Sequence, residues 1–536
     1  MFQQLLAPTG NMGSTIVWAL VPLAVLLFML AVLRLTAWLA TIIAGAITIA
    51  VGVLVWRAPV AATLHAYLYG GLQGAWVIDW ITFWGLVIFN TLVLTGDFDR
   101  FKTWMINQAT VDVRIQTIML AWAFGALLEG LVGFGYPWAV VVPILVGLGI
   151  ADLEAIRVAA LANNAPVSYG ALGAPILALA TVTGIPLLSL SASVGDIVAV
   201  LALLPPVVLI YLVSGWEGVV EAWPLAVVGS LSYILGQWPV AHYLGPYLPD
   251  LSGALVSFWI LFLFVKVWRP KTIRTFGGKI ISQPEAGAAD PSQGAAEALR
   301  AWVPYLILIG VVVLWTGPWS HLPAISWYKL QISAISSVTG KPIASAFNFN
   351  PFGGGSSILA SWLVILLFLR PSGNLLGKVF ARTFKQMWGA LLVAFFIFAI
   401  AYVFVFTGMA NSLAYGFSKI GWGFVILAPV LGWIGVALSG SNTSTNAMFG
   451  PIQAVTGRLL HLPLLLTPSL NSVGAEVGKP IAPQTASVGV STSRFVRSEG
   501  QVIRHNMAWT LIFLGYLVLI GLLFYFVFPH AMGQAG

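Results

Sequence analysis

Residues 126–137 read ALLEGLVGFGYP, with a single carboxylate, Glu129, between two leucines and a run of glycines. A glutamate is cheap on a wet surface and expensive in hydrocarbon, so this stretch is read by its surroundings. They are apolar almost from end to end: of 536 residues 59% are hydrophobic and 7% charged, where soluble domains carry about 25% charge. Long apolar runs recur, among them IVWALVPLAVLLFMLAVL at 16–33 and AWTLIFLGYLVLIGLLFYFVF at 508–528. Runs of about 20 such residues have the length of a membrane-spanning helix. The expected fold is an all-α polytopic membrane protein, and its 23 tryptophans suit two interfacial belts.

The net charge of +8 does not point to nucleic acid, because the basic residues fall in short loops between apolar runs. With no cysteine, thiolate metal sites and disulfides are excluded. The start, MFQQLLAPTGNMGST, has no basic region ahead of its apolar run, so that run reads as a permanent span and not as a cleaved signal. The six histidines show no paired spacing for haem or metal and are assigned to loops and packing; no cofactor is expected.

About 12–16 hydrophobic segments are expected. They fall near 14–33, 35–56, 76–95, 113–130, 134–150, 158–182, 194–214, 222–238 and 251–267, and then near 301–316, 355–370, 385–407, 421–437, 440–459, 463–490 and 507–529. Residues 269–300, rich in Gly, Ala and Pro and net positive, read as a flexible cytoplasmic linker. They divide the chain into a first transmembrane half, 1–268, and a second, 301–536. Arg34, the Arg100/Lys102/Arg114 loop, the linker, the Arg370–Lys385 loop and Arg494–Arg504 all take the cytoplasmic side. That threading leaves both termini and the stretch 317–354 outside.

The halves carry matching interruptions. The first has LLEGLVGFGYPWAVVVP and then LANNAPVSYGALGAPILA; the second has ALSGSNTSTNAMFGPIQ and then SLNSVGAEVGKPIAPQTA. Each is a Gly/polar break after an apolar helix, followed some 30–40 residues later by an Asn-containing stretch that ends Gly-x-Pro-Ile. The threading approaches Glu129 from the cytoplasm and Ser439 from outside, as an inverted-topology repeat requires. Paired Gly/Pro-interrupted segments in such repeats point to a binding site near the membrane midplane. Irregular backbone survives in hydrocarbon only where protein or a watery cavity covers it. Broken helices also leave amide N–H groups that favour an anion, and Ser439, Ser441, Asn442, Thr443, Ser444 and Asn446 could complete the cradle. By chemistry alone the site suits a small anion or a cation such as sodium.

The motifs LLEGLVGFGYP, NNAPVSYGALGAP, SGSNTSTNAMFG, GKPIAPQ and the earlier TGDFDRF resemble the L-lactate permease family, in the family's order and over nearly the whole chain. The resemblance implies a carrier that moves lactate or glycolate together with protons across the plasma membrane. Three positions depart from the family pattern. An aspartate is usual where this chain has Asn442, Glu476 stands where the family is usually uncharged, and Tyr136 replaces a smaller residue. If positions 442 and 476 face one cavity, the first two departures amount to one negative charge moved across it, keeping the balance around Lys479; the plain alternative is that Glu476 reaches a watery vestibule.

Each residue is weighed against a plain structural reading. A charge at mid-membrane costs roughly 2.5–3.5 kcal/mol on insertion scales, so Glu129 is expected to titrate or bind, and a structural hydrogen bond at a helix break is the alternative. Glu476 is a second proton site or an ion-pair partner. Lys479 holds the substrate carboxylate or pairs with Glu476 three residues earlier. Asn163, Asn164, Ser168 and Gln484 line the cavity or join helices by hydrogen bonds. Gly133 and Gly135 are expected among the substrate-binding residues, and with Gly130 they allow close approach of the backbone. Asp79, among tryptophans in WVIDWITFW, reads as interfacial. The expected function is proton-coupled symport of a small monocarboxylate, with sodium coupling or another organic anion as the alternative. A membrane-embedded enzyme or redox subunit would need ligands or a nucleophile–base pair that no usable spacing supplies. Beyond the substrate, protons and the bilayer, no partner is indicated, and the sequence does not speak to oligomeric state.

Overall fold

The computed structural model describes residues 1–108, 110–133, 135–281, 295–491 and 498–533. Among them eight helices are long and apolar enough to cross a membrane, or nine if the bent pair Asp152–Ala162 and Val167–Thr183 counts as one span. The all-α expectation holds. Several apolar runs nevertheless divide or fuse differently. Residues 194–214, expected as one segment, straddle a turn between the helices Leu187–Leu201 and Pro205–Tyr243, where Pro205 and Pro206 open the second helix. Upstream, the segment expected to start near 76 is helical from Val60 onward, making one 36-residue helix to Thr95.

Two regions expected to be loops carry structure. In 317–354 the strands Tyr328–Ile335 and Pro342–Phe349 form an antiparallel hairpin, and Phe2–Gln3 adds to it in parallel. The amide of Gln4 donates to the carbonyls of Val405 and Phe406, and Tyr402 Oη donates to Ala346 O (3.2 Å). The N-terminus and this hairpin therefore share the end of helix Gly373–Thr407 that lies away from the basic 370–385 loop, in accord with the charge-based threading. Within the linker, Ile273–Arg274 pairs with Ile280–Ile281, and a helix starts at Ala295. Residues 282–294 and Arg494 lie outside the described residues.

Arg114, expected in a cytoplasmic loop, is fully buried. Its guanidinium meets Asp112 Oδ2 (2.7 Å), Glu221 Oε2 (3.0 Å) and Thr272 O (2.6 Å), while Arg274 meets Glu221 Oε1 at 2.8 Å. These hydrogen bonds to Glu221 hold the Arg274 guanidinium above its ordinary pKa. The cluster fastens the start of the linker to the foot of helix 113–131.

The centre is built from two helical hairpins and two broken crossings. In the first hairpin, helix 113–131 turns by way of Gly133 and Gly135 and returns as Tyr136–Gly147, with Gly125 facing Val141. Gly133 and Gly135 both adopt left-handed backbone (φ 64° and 78°), which side chains resist, so the tight turn requires glycine. In the second, Phe424–Ser439 turns at Gly440 and returns as Asn442–Leu459, with Gln453 Nε2 donating to Ala428 O (3.1 Å).

The crossings fix how the hairpins are oriented. Asp152–Ala162 leaves the base of the first hairpin and runs to its tip. After a break, Gly170–Thr183 continues along the second hairpin, where Leu179 and Val182 face Gly450. The second crossing does the reverse. Leu466–Gly478 leaves the base of the second hairpin, and Pro483–Ser491 continues along the first, where Thr485 and Val488 face Gly135 and Gly489 faces Trp138. Each crossing thus joins the base of one hairpin to that of the other past both tips, so the hairpins enter from opposite faces. This is the inverted repeat. The Gly-x-Pro-Ile match is not in register, however: Gly173–Ile176 opens the second arm of its crossing, whereas Gly478–Ile481 closes the first arm of the other. The structural counterparts are the breaks, each carrying Ala-Pro (Ala165–Pro166 and Ala482–Pro483), because proline cannot continue a helix.

Candidate functional site

Both hairpin tips and both crossing breaks converge on one cavity of about 460 Å³, within the 300–1,000 Å³ usual for small-molecule sites. At its wall Lys479 Nζ lies 2.6 Å from Glu129 Oε1, in an ion pair 350 positions apart in sequence with both side chains buried. The other carboxylate oxygen, Oε2, accepts from Asn163 Nδ2 (2.8 Å). Gly170 lets the carboxylate sit there, since a Cβ on residue 170 would stand 2.5 Å from Glu129 Oε1. Lys479 therefore turns to Glu129 rather than to Glu476, correcting the pairing that the three-residue spacing suggested. The i,i+3 rule needs a continuing helix, and this one ends at Gly478.

Glu129, Gly133, Ser439, Ser441, Asn442, Thr443, Ser444, Lys479 and Gln484 line the cavity. Ser441 caps helix Asn442–Leu459, its side chain accepting from the Ser444 amide (3.2 Å), and so aims the positive end of that helix at the cavity. Behind the wall, without lining it, lie Asn163, Asn164, Ser168, Asn446 and Glu476, and Gly135 packs against the second crossing. Ser168 Oγ donates to Glu476 Oε2 (2.6 Å) and meets Ser472 Oγ at 3.2 Å, while Glu476 Oε1 has no partner among the described residues. Asn442 Nδ2 donates to Ser472 O (3.1 Å), and Asn446 Nδ2 reaches Pro175 O and Ser472 Oγ (both 3.0 Å). Glu476 and Asn442 are therefore linked through Ser472 and do not face one cavity, and the idea of a charge relocated across it loses its geometric premise. Asn164 is fully buried with neither side-chain atom partnered among the described residues.

Among the lining side chains that escaped the sequence reading of the site are Asp79, Tyr136 and Gln386. Asp79, read as interfacial, instead lies midway along helix 60–95 and is buried. The tryptophans around it suggested a membrane edge; in fact Trp80 and Trp76 reach Ser356 and the carbonyl of Asn350. The missed signal was the helical continuity of 60–75, which moves residue 79 away from a helix end. No cluster of three or more metal-ligating side chains occurs among the described residues.

A polytopic helical protein with an ion pair, helix ends and small polar groups around a cavity between inverted repeats belongs to the class of membrane transporters. The comparisons narrow the class: the chain belongs to the L-lactate permease family, whose model matches residues 14–528. It is 34% identical to the glycolate permease GlcA of Escherichia coli K12, covering 98% of each chain. It is 31% identical to the L-lactate permease of the same strain (96% of each) and 31% identical to that of Bacillus subtilis 168 (97% of each). These relatives are permeases, not enzymes. Among solved structures, the YdaH transporter of Alcanivorax borkumensis aligns with a TM-score of 0.46 at 16% identity, over 89% of this chain and 90% of that one. That likeness is too slight to carry an argument.

Proposed function

We propose that this protein carries a small 2-hydroxymonocarboxylate, lactate or glycolate, across the plasma membrane together with protons. The observation that carries the reading is the Lys479–Glu129 pair in the cavity wall. A carboxylate entering the cavity meets the ammonium of Lys479, already engaged by an internal carboxylate of the same chemistry. Substrate and Glu129 compete for that cation, and protonation of Glu129 resolves the competition in the substrate's favour. Proton and anion then bind as a set, which is the thermodynamic content of symport. In this scheme the remaining substrate oxygens go to the N-terminus of helix Asn442–Leu459 and to the hydroxyls of Ser439, Ser441, Thr443 and Ser444, all of which line the cavity. Glu476, fully buried on Ser168, is the second proton site of this scheme. The names of the relatives, lactate and glycolate permeases, agree with this substrate class.

The test is uptake into proteoliposomes of a labelled panel of monocarboxylates under separately imposed proton and sodium gradients. Proton-driven accumulation of a 2-hydroxy acid is the expected result. Uptake driven by sodium alone would refute the coupling, and uptake of none of the 2-hydroxy acids would refute the substrate.

A further inference from the structure

Asp79 stands on a wall of the cavity outside both hairpins and both crossings. It closes a widened helical turn, Ala75–Asp79, of the kind often found at functional sites. Its side chain is 9% exposed and lines the cavity shared by Glu129 and Lys479. Thr82 Oγ1 bonds the backbone carbonyls of Ile78 and Asp79, and no described residue is within hydrogen-bond or ion-pair reach of the Asp79 carboxylate. The elements packed on this turn are helices Gly170–Thr183, Gly354–Leu369 and Gly373–Thr407. The first two contain no charged residue, and the third has none from Gln386 onward, which is the part that lines the cavity. Among the described residues, the titratable or charged groups that line the cavity with Asp79 are Glu129, Lys479 and Tyr136.

Among the described residues lining the cavity, the charges then do not balance. Lys479 is offset by Glu129, which leaves Asp79 as an uncompensated carboxylate in a buried site. Bringing in a substrate anion adds a second negative charge, while Lys479, the one cation among the described lining residues, can serve only one partner. Burial of unpaired charge in low dielectric is costly, and a carboxylate escapes that cost by taking a proton. Asparagine or glutamine at this position would provide the same polarity without the charge, so the acid itself is what needs explaining.

We propose that Asp79 is the cavity's own proton site, filled in step with the substrate anion, in addition to the proton that frees Lys479 from Glu129. This deepens the symport reading and rests on it. It makes Asp79 the group that sets how steeply anion affinity falls as pH rises, because an ionised Asp79 repels the anion and a protonated one can donate to it.

The experiment is equilibrium exchange of labelled lactate in proteoliposomes with the same pH on both sides, measured as the half-saturation concentration across pH. Each proton bound with the anion adds at most about a tenfold rise in that concentration per pH unit on the alkaline limb. Asp79→Asn should lose one proton's share of the slope and bind lactate more tightly than the parent at the alkaline end, whereas Asp79→Glu should keep the slope. In weakly buffered micelles, adding lactate should draw about one proton fewer per chain into Asp79→Asn than into the parent. Should Asp79→Asn fail to fold, Asp79→Ser makes the same test. An unchanged slope with unchanged proton uptake would overturn the proposal, as would weaker alkaline binding in Asp79→Asn, the mark of a merely structural role. Loss of a sodium-dependent component instead of a proton-dependent one would overturn the assignment of a proton. A parent protein that exchanges none of the 2-hydroxy acids would refute the substrate reading itself, a failure visible before any Asp79 variant is made.

Discussion

Removing one member of the Glu129–Lys479 pair gives two variants with opposite responses to pH. At 2.6 Å, two unit charges attract by about 6 kcal/mol at an effective dielectric of 20. Cutting a buried pair in half typically destabilises by about 3–5 kcal/mol, because the survivor is left charged without a partner. The survivor can neutralise itself instead, which caps the loss. In Lys479→Met the remaining carboxylate must take a proton, a step that costs an ordinary carboxyl about 4 kcal/mol at pH 7 and about 1.4 less for each unit of lower pH. In Glu129→Gln the remaining ammonium must release a proton, at about 5 kcal/mol at pH 7 and about 1.4 less for each unit of higher pH. Lys479→Met should therefore approach the parent's stability in acid, and Glu129→Gln in alkali. The double variant should be more stable than either single one near neutrality. The assay is thermal unfolding in detergent followed by tryptophan fluorescence, a probe that the 23 native tryptophans supply without labelling. Parallel pH profiles for the two single variants, or a double variant as unstable as the sum of the singles, would refute the pairing.

Four further outcomes follow from the structure. Glu129→Gln should retain substrate exchange and lose accumulation driven by a pH gradient; parent-like accumulation with parent-like pH dependence would remove Glu129 from the coupling. Gly170→Ala places a methyl group 2.5 Å from Glu129 Oε1 and should cut lactate exchange by about tenfold or more, so exchange at the parent rate would show that the carboxylate can move without consequence. Arg114→Ala leaves the buried Asp112 without its cation and should cost about 3–5 kcal/mol of stability in the same thermal assay. Lys102→Ala removes an exposed i,i+3 pair with Asp99 and should leave unfolding unchanged within error.

Much of the site was legible as residue types at points of interruption. Glu129 among glycines, the serine-rich turn at 439–444 and the lysine at a Pro-containing break are each anomalous inside apolar sequence, and all three line the cavity. What was misread depended on distance along the chain. The partner of Lys479 was sought three residues away and lies 350 away. Glu476 was expected to share a cavity with Asn442 and instead sits behind the wall on Ser168. Arg114 was placed in a loop by the positive-inside pattern and is buried in an ionic cluster, because its three hydrogen-bonding partners, Asp112, Glu221 and Thr272, come from three separate segments.

The sequence by itself determined the solvent, the class of secondary structure and the places where helices must break. These depend on free energies of transfer and backbone constraints that each segment carries locally: apolar length, proline, glycine and the cost of charge in hydrocarbon. Only the tertiary structure decided which charges meet. It set Glu129 against Lys479, brought Asp79 from helix 60–95 into the wall of the same cavity, and swapped each crossing onto the opposite hairpin. Ion pairing and cavity lining are properties of side chains converging from distant segments within a few ångströms, and no local pattern encodes that convergence.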